Sequence, residues 1–541
     1  MIKHQTLRSQ LALSTAMAAV LLVASHVDNS ALAGSCTGSA GVFTCSGPAS
    51  PTGTDAPQIL DGGAGPVTVT TEAGFGLDTT MGSAGPALRL LGTGGVTFDD
   101  ANPDGSDITV SKGGIYAFNN GSGDVSITAY GAISTASGAG VKAYNFAADG
   151  ALTISTNDVR ADNLFAIYAV GGGTGGMSVT TTGETEILTP SRVGAVIWAQ
   201  NGGGGSLEIS ADKAILGSYA STAILAENNN TDTTDLIISI ADFTSGYGIA
   251  ARNSGTGDLT ISASGPLTAG RGYAIEATNR TSGSIEITTE DTVTARSGPA
   301  FDGVAFDVTN TSGTDSITIS TADIVADTAA IIATNDGTGD IRIAASGDVQ
   351  GAVLATNRSG GVIDIDLEGT VSFLPGNGIS ATNESGDGGI SVASAGVQAG
   401  GYGIVVEDST TGDIEITTTG AVSAGTADGI NAENTTGGSI AIDAGFAVTS
   451  DEAVGIRATN FADTDSVTIS AADVAGGYGG IAAVNYGMGA LSIEASGTVS
   501  GGRYFGVAAI NTGAELTISA ADIDSGGYGI VASQRGDGAL S

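Results

Sequence analysis

The sequence predicts an all-β chain wound as a right-handed parallel β-helix, a three-faced solenoid of about 26 residues per coil. Three observations predict it. Short runs alternate apolar and polar residues with a period of two. A segment ending in Ala-x-Asn returns at a near-constant interval. Glycine fills 87 of 541 positions while aromatic residues make up only 5%, a composition that suits a narrow aliphatic core turned at many corners.

One lap shows the design. Gly248 to Asn253 reads Gly-Ile-Ala-Ala-Arg-Asn, Asp258 to Ala263 reads Asp-Leu-Thr-Ile-Ser-Ala, and Leu267-Thr268-Ala269 follows a Ser264-Gly265-Pro266 corner. In extended backbone, alternate side chains face opposite ways. Ile249, Ala251, Leu259, Ile261, Leu267 and Ala269 therefore point inward, and Ala250, Arg252, Thr260, Ser262 and Thr268 outward. From Tyr273 the pattern restarts, ending at Asn279.

The Ala-x-Asn landmark runs from Asn119 to Asn511, with Gly171, Asp408 and Gln534 in the matching slot of other laps. Strand-turn-strand laps of this length stack as a parallel solenoid, right-handed by the general rule for parallel crossovers. Each lap advances about 4.8 Å, giving a rod of roughly 85 Å. No lap buries its own apolar face, so neighbours supply the stability and the ends need caps.

The asparagine falls on the inward phase, where a buried amide needs partners. The expectation is a structural ladder of stacked amides through Asn253, Asn279, Asn335, Asn357, Asn383, Asn434, Asn460, Asn485 and Asn511; a solvent-facing turn residue is the plainer alternative.

At the start of the chain, Lys3 and Arg8 precede an apolar run from Leu11 to Ala24, and Ala31-Leu32-Ala33 supplies small residues at cleavage spacing. That predicts a signal peptide over residues 1–33, cut between Ala33 and Gly34. Both histidines, His4 and His26, leave with it. Cys36 and Cys45 are the only cysteines, and in an oxidising compartment they are expected to pair as a disulfide. With no further Cys or His to complete a ligand set, no metal site is expected.

Residues 34–95 read as an N-terminal cap and first irregular coils, closed by the cysteine loop and by Pro48, Pro51 and Pro57. Residues 96–541 read as the repetitive body. Gly536 to Ser541 matches the turn and opening of a second strand, which predicts a body ending in mid-coil and a longer precursor.

The formal net charge is −39, from 17 basic and 56 acidic residues. Such a surface repels phosphate backbones, so nucleic acid is not an expected partner, nor are sulfated or phosphorylated glycans. Calcium at Asp-bearing corners stays open, although the Gly-Gly-x-Gly-x-Asp signature does not recur.

The leader, the early cysteine pair and the long acidic, Gly-rich succession of Ala-x-Asn and Ile-Thr-Ile-Ser runs together resemble the passenger region of bacterial type V autotransporters, from Gly34 to Ser541. A two-partner-secreted filamentous haemagglutinin is similar in design, and Asn102-Pro103-Asp104-Gly105 faintly echoes its secretion motif. The resemblance implies a rod at the cell surface or outside a Gram-negative bacterium, delivered by a C-terminal outer-membrane β-barrel translocator. The barrel's own strand pattern is not found in this sequence.

Asp364, Asp366 and Glu368 alternate on one strand and form the best carboxylate cluster, but glycoside hydrolysis needs two carboxylates facing one groove; a solvated strand face is the expectation. A histidine-free exported chain forms no Ser-His-Asp or Cys-His site. Trp198 and Phe165 read as fillers of wider laps rather than rings for stacking sugars. Arg535-Gly536-Asp537 lies in a turn and would be a recognition tripeptide if displayed. Outward Thr153, Ser155, Thr260, Ser262, Thr318 and Ser320 form a row that Glu208, Glu286, Arg342, Asp364 and Glu415 interrupt, which argues against an ice-binding face. The expected function is an adhesin-like structural rod that presents loops to a surface or host ligand, with no catalytic residues and no cofactor. The rival is a secreted polysaccharide-active β-helix enzyme, a lyase or hydrolase.

Overall fold

Alternation decides which way each side chain points, and the computed structural model of the chain follows it. It describes residues 33–541 apart from 83–84, 101, 103–104, 163–164, 189–193, 214, 218–220, 299–302, 312, 314 and 462–464. The predicted signal peptide, save Ala33, lies outside the described residues.

In the lap already dissected, Tyr247–Asn253, Leu259–Ala263 and Leu267–Ala269 are strands. Ile249, Ala251, Leu259, Ile261, Leu267 and Ala269 are buried, while Ala250, Arg252, Thr260, Ser262 and Thr268 remain partly exposed. Each strand pairs in parallel with its counterpart one lap on: Ile249 with Ile275, Ile261 with Ile287, Leu267 with Val293. Repeated along the chain, this gives a β-solenoid of about 18 turns of roughly 26 residues, with no helix among the described residues. The three sheets are named here by what recurs on them: the asparagine sheet (Tyr247–Asn253 and its counterparts), the threonine sheet (Leu259–Ala263) and the short sheet (Leu267–Ala269).

Stacking like on like makes the core. On the threonine sheet Leu207, Leu236, Leu259, Ile285 and Ile317 follow one another in register, all wholly buried. A lap removed from this column would expose the aliphatics of both neighbours, so the hydrophobic contribution belongs to the interface between laps.

The first lap is covered by a hairpin. Ser35–Ser39 runs antiparallel to Val42–Ser46, with Cys36 opposite Cys45 and joined to it by a disulfide. The two-residue loop, Ala40-Gly41, has φ of 54° and 83°, as in the type I′ turns whose twist matches a hairpin. Val42–Ser46 pairs in parallel with Val67–Thr71, so the outer hairpin strand occupies the edge of the threonine sheet that would otherwise be open. In-register laps begin inside the stretch read as cap and irregular coils: Gln58–Asp61 pairs with Leu88–Gly92, and Val67–Thr71 with Val96–Asp99.

The recurrent asparagines form one buried column. Asn253, Asn279, Asn310, Asn335, Asn357 and Asn383 stand in register and wholly buried; so do Asn434, Asn460, Asn485 and Asn511. Their hydrogen bonds run chiefly to corner backbone rather than from amide to amide. Asn253 Nδ2 donates to Gly257 O at 2.8 Å and Asn335 Nδ2 to Gly339 O at 2.7 Å. The N–H groups of Gly255 and Gly337 donate to Oδ1 of the same two side chains. Asn357 and Asn434 reach back one lap, to Gly339 O and Gly412 O, both at 3.0 Å. Direct amide-to-amide bonds join Asn119 to Asn145 and Asn228 to Asn253. The physical reason is the corner itself: a carbonyl turned inward there has left the sheet ladder and needs a donor.

Aspartate supplies a second clamp. Where it directly precedes a strand's first buried aliphatic, its carboxylate accepts the backbone N–H of the equivalent residue one lap on. Asp258 accepts from Ser284 at 2.8 Å, Asp348 from Thr370 at 2.9 Å, Asp413 from Ser439 at 2.7 Å and Asp473 from Thr498 at 2.7 Å. Part of the acid excess therefore fastens lap to lap.

Candidate functional site

The outer side of the asparagine sheet carries the most distinctive surface of the molecule. In the strands Ile115–Asn119, Val141–Asn145, Phe165–Gly171 and Ala195–Asn201 the inward positions hold Ile or Val, then Ala, then Asn or Gly. The outward phase is left to large residues. Register places Arg89, Tyr116, Lys142, Tyr168 and Trp198 in one outward column, with Phe118 and Tyr144 in the column beside it.

The rings touch from lap to lap. Centroids lie 6.0 Å apart for Tyr116 and Tyr144, 5.8 Å for Tyr144 and Tyr168, and 5.0 Å for Tyr168 and Trp198. Phe165 adds to the Trp198 end at 5.2 Å, and Phe146 to Tyr144 at 5.8 Å. Edge and tilted contacts of this kind contribute about 0.5–1.5 kcal/mol each beyond area burial, so the rings brace one another into a fixed surface. Trp198, the only tryptophan, and Phe165 are half-exposed here. They do not fill wider laps as expected: Trp198 lies on the outward phase between buried Ile197 and Ala199, and Phe165 precedes Ala166 and Ile167, which are buried side by side and take the inward places at the start of that strand.

Cations are threaded between the rings. The Lys142 ammonium lies 5.3 Å from the centroids of both Tyr144 and Tyr168, and the Arg89 guanidinium 5.8 Å from that of Tyr116, within cation–π range. Burial and the neighbouring Tyr144 push the Tyr168 hydroxyl above its ordinary value, against the opposing pull of Lys142. Among the described residues no carboxylate pairs with Arg89, Lys112 or Lys142, whereas Arg160 and Arg457 each meet one and Arg252 and Arg358 two. Lys112 and Lys142, from successive laps, flank an open cleft of about 380 Å³ lined also by Pro86, Gly113, Tyr116, Ser137 and Phe165.

The surface ends where the charge changes sign. Further along the same sheet Arg252 is held between Glu227 at 3.4 Å and Glu276 at 3.0 Å. Burial, and then the adjacent Glu276, raise the Asp307 carboxyl above its usual range.

The sequence-derived candidates fall elsewhere. Asp364, Asp366 and Glu368 lie exposed on the outward phase of Ile363–Phe373, with Arg342 in register beside Asp364; Asp366 and Glu368 border a hollow of about 110 Å³. Arg535 and Asp537 are exposed at the corner after Tyr528–Gln534. Glu208, Glu286, Arg342, Asp364 and Glu415 fall within the outward column that contains Thr153 and Thr260. Among the described residues no group of three or more His, Cys, Asp or Glu is arranged to hold a metal ion. The aromatic face was missed by sequence reasoning, yet a signal was there: Tyr116, Lys142, Tyr168 and Trp198 each follow the first aliphatic of an Ile/Val-x-Ala unit. No protein-family model, curated protein or solved structure matches the chain, so the β-solenoid and the geometry of its faces are the ground on which a functional reading stands.

Proposed function

We propose that this chain is an exported, adhesin-like rod of the autotransporter-passenger type. A β-barrel translocator would carry it to the surface of a Gram-negative cell, and it would act by attachment, without chemistry of its own. One observation carries the reading. Rings and cations that meet no carboxylate among the described residues sit side by side, partly exposed, on the outside of the asparagine sheet. Exposed aromatic surface mixed with cations is the composition of recognition surfaces rather than of inert ones. Attachment by this face, on a flat side of the rod rather than at its corner loops, is part of the proposal.

Attachment is measured with beads coated in the purified chain from Gly34 onward, washed over mucin, plant-polysaccharide gels and epithelial monolayers. Retention on at least one surface, reduced severalfold by Tyr144→Ala with Trp198→Ala, is the expected result. Uniform failure to attach contradicts it, and release of reducing sugar from any of these glycans contradicts it in favour of the enzyme reading.

A further inference from the structure

Building on that attachment reading, we infer that the cleft between Lys112 and Lys142 binds a hexuronic acid residue of a glycan. An aromatic ring presents a flat apolar surface to the C–H face of a pyranose, and an ammonium gives its carboxylate a charge-assisted hydrogen bond. The cleft offers both: Tyr116 and Phe165 in its lining, and two lysines at its margin. Its volume of about 380 Å³ accommodates a pyranose ring with its substituents.

Charge complementarity selects the acid. This chain has more than three carboxylates for every cation, yet the five strands of the asparagine sheet from Leu88–Gly92 to Ala195–Asn201 contain none. Among the described residues no carboxylate pairs with Lys112 or Lys142, so their charge is available to an outside anion. A densely sulfated or phosphorylated polymer would meet the repulsion of the whole chain, net −39. A single carboxylate feels the local field, because charges beyond about 8 Å are screened at physiological ionic strength.

The lining also limits the sugar. Apart from Ser137 and the Tyr116 hydroxyl, its described side chains are those of lysine, proline, isoleucine, alanine and phenylalanine, with glycines between. That set suits a carboxylate and a C–H face. It has no side-chain amide to read an N-acetyl group and little to hold a glycerol tail, which argues against a sialic acid.

Calorimetric titration of the purified chain with trigalacturonic acid, maltotriose and sialyllactose tests the inference. Trigalacturonic acid is expected to bind, more weakly as salt rises, and maltotriose to give no heat. Loss of one charge-assisted bond in Lys112→Met or Lys142→Met should weaken binding about tenfold or more, while Arg503→Met, on an exposed corner away from the face, leaves it unchanged. Lys112 is exposed, so its variant reads ligand contact rather than folding. Equal binding of the acidic and neutral sugars, a preference for sialyllactose, or indifference to both lysine variants overturns the inference. If coated beads still attach in that event, the attachment reading stands; if they do not, both fall.

Discussion

Asp408 occupies, in register, the place that Asn383 fills one lap before it and Asn434 one lap after. It is wholly buried, and a carboxylate there has no N–H to give to a corner carbonyl. Thr410 takes over that duty: its hydroxyl donates to Gly388 O, the carbonyl that Asn383 also reaches, and its backbone N–H donates to Asp408 Oδ1 at 2.9 Å. Oδ2 has no partner. Burial is the main reason that the Asp408 carboxyl is pushed up to about 6, with Asp413 adding to it and the Thr410 bonds opposing.

The sign of the pH effect follows. Between the ordinary carboxyl value and about 6, folded Asp408 holds a proton that the unfolded chain has released. Its contribution to stability is therefore highest at low pH and falls as pH rises through that window, by about 3 kcal/mol at most. Asp408→Asn removes the titration and restores the carboxamide. Urea unfolding should show the variant about 1–3 kcal/mol more stable than the parent at pH 7.5, with the gain shrinking toward zero by pH 4. A gain that is the same at both pH values would mean that burial of the charge is not the cause.

The asparagine column acts as a clamp on corner backbone. Asn335 donates to Gly339 O and Asp315 O and accepts from Gly337 N. Asn335→Leu keeps a similar volume, leaves Gly339 O with the Asn357 amide alone and takes the side-chain partner from Asp315 O and Gly337 N, at about 1–3 kcal/mol for each one that water cannot reach. A lower urea midpoint, equivalent to at least about 2 kcal/mol, is expected. An unchanged midpoint would show the amide to be dispensable.

The corner aspartates make a local and separable prediction. Asp413→Ala should speed hydrogen exchange at the Ser439 amide, whose N–H the carboxylate accepts at 2.7 Å, and cost about 0.5–1.5 kcal/mol. Asp413→Asn retains an acceptor oxygen and should leave that amide largely protected. Equal exchange in the two variants would assign the effect to charge rather than to the bond.

How much of this was legible follows from what each feature depends on. The inward phase of Ile249, Ala251, Leu259 and Ile261 needed only the two-residue period of extended backbone, which no tertiary context alters. The burial of Asn253 came with it. Its bonding partner did not, because the acceptor depends on the path of the corner, and corners differ: Asn253 reaches Gly257, while Asn228, before a longer corner, reaches Asp235. The corner aspartates and the aromatic column were hidden for a related reason. Asp413 and Ser439, or Lys142 and Tyr168, become neighbours only through lap register. Composition misled on Trp198 and Phe165: in a chain so poor in rings, large side chains read as core fillers, whereas alternation placed Trp198 outside, and Phe165, in phase with Ile167, is left partly exposed because Ala166 and Ile167 are buried side by side and break the alternation.

Register that accumulates lap by lap is the central claim, and a pair of spin-label distances tests it most directly. Thr153, Glu286 and Glu415 lie in one outward column of the threonine sheet, with Glu286 five laps from Thr153 and Glu415 ten. With cysteine-linked labels on Thr153 and Glu286, double electron–electron resonance should give a separation near 24 Å, and on Thr153 and Glu415 about twice that, since each lap rises about 4.8 Å. Two distances of similar length would contradict a linear stack of laps.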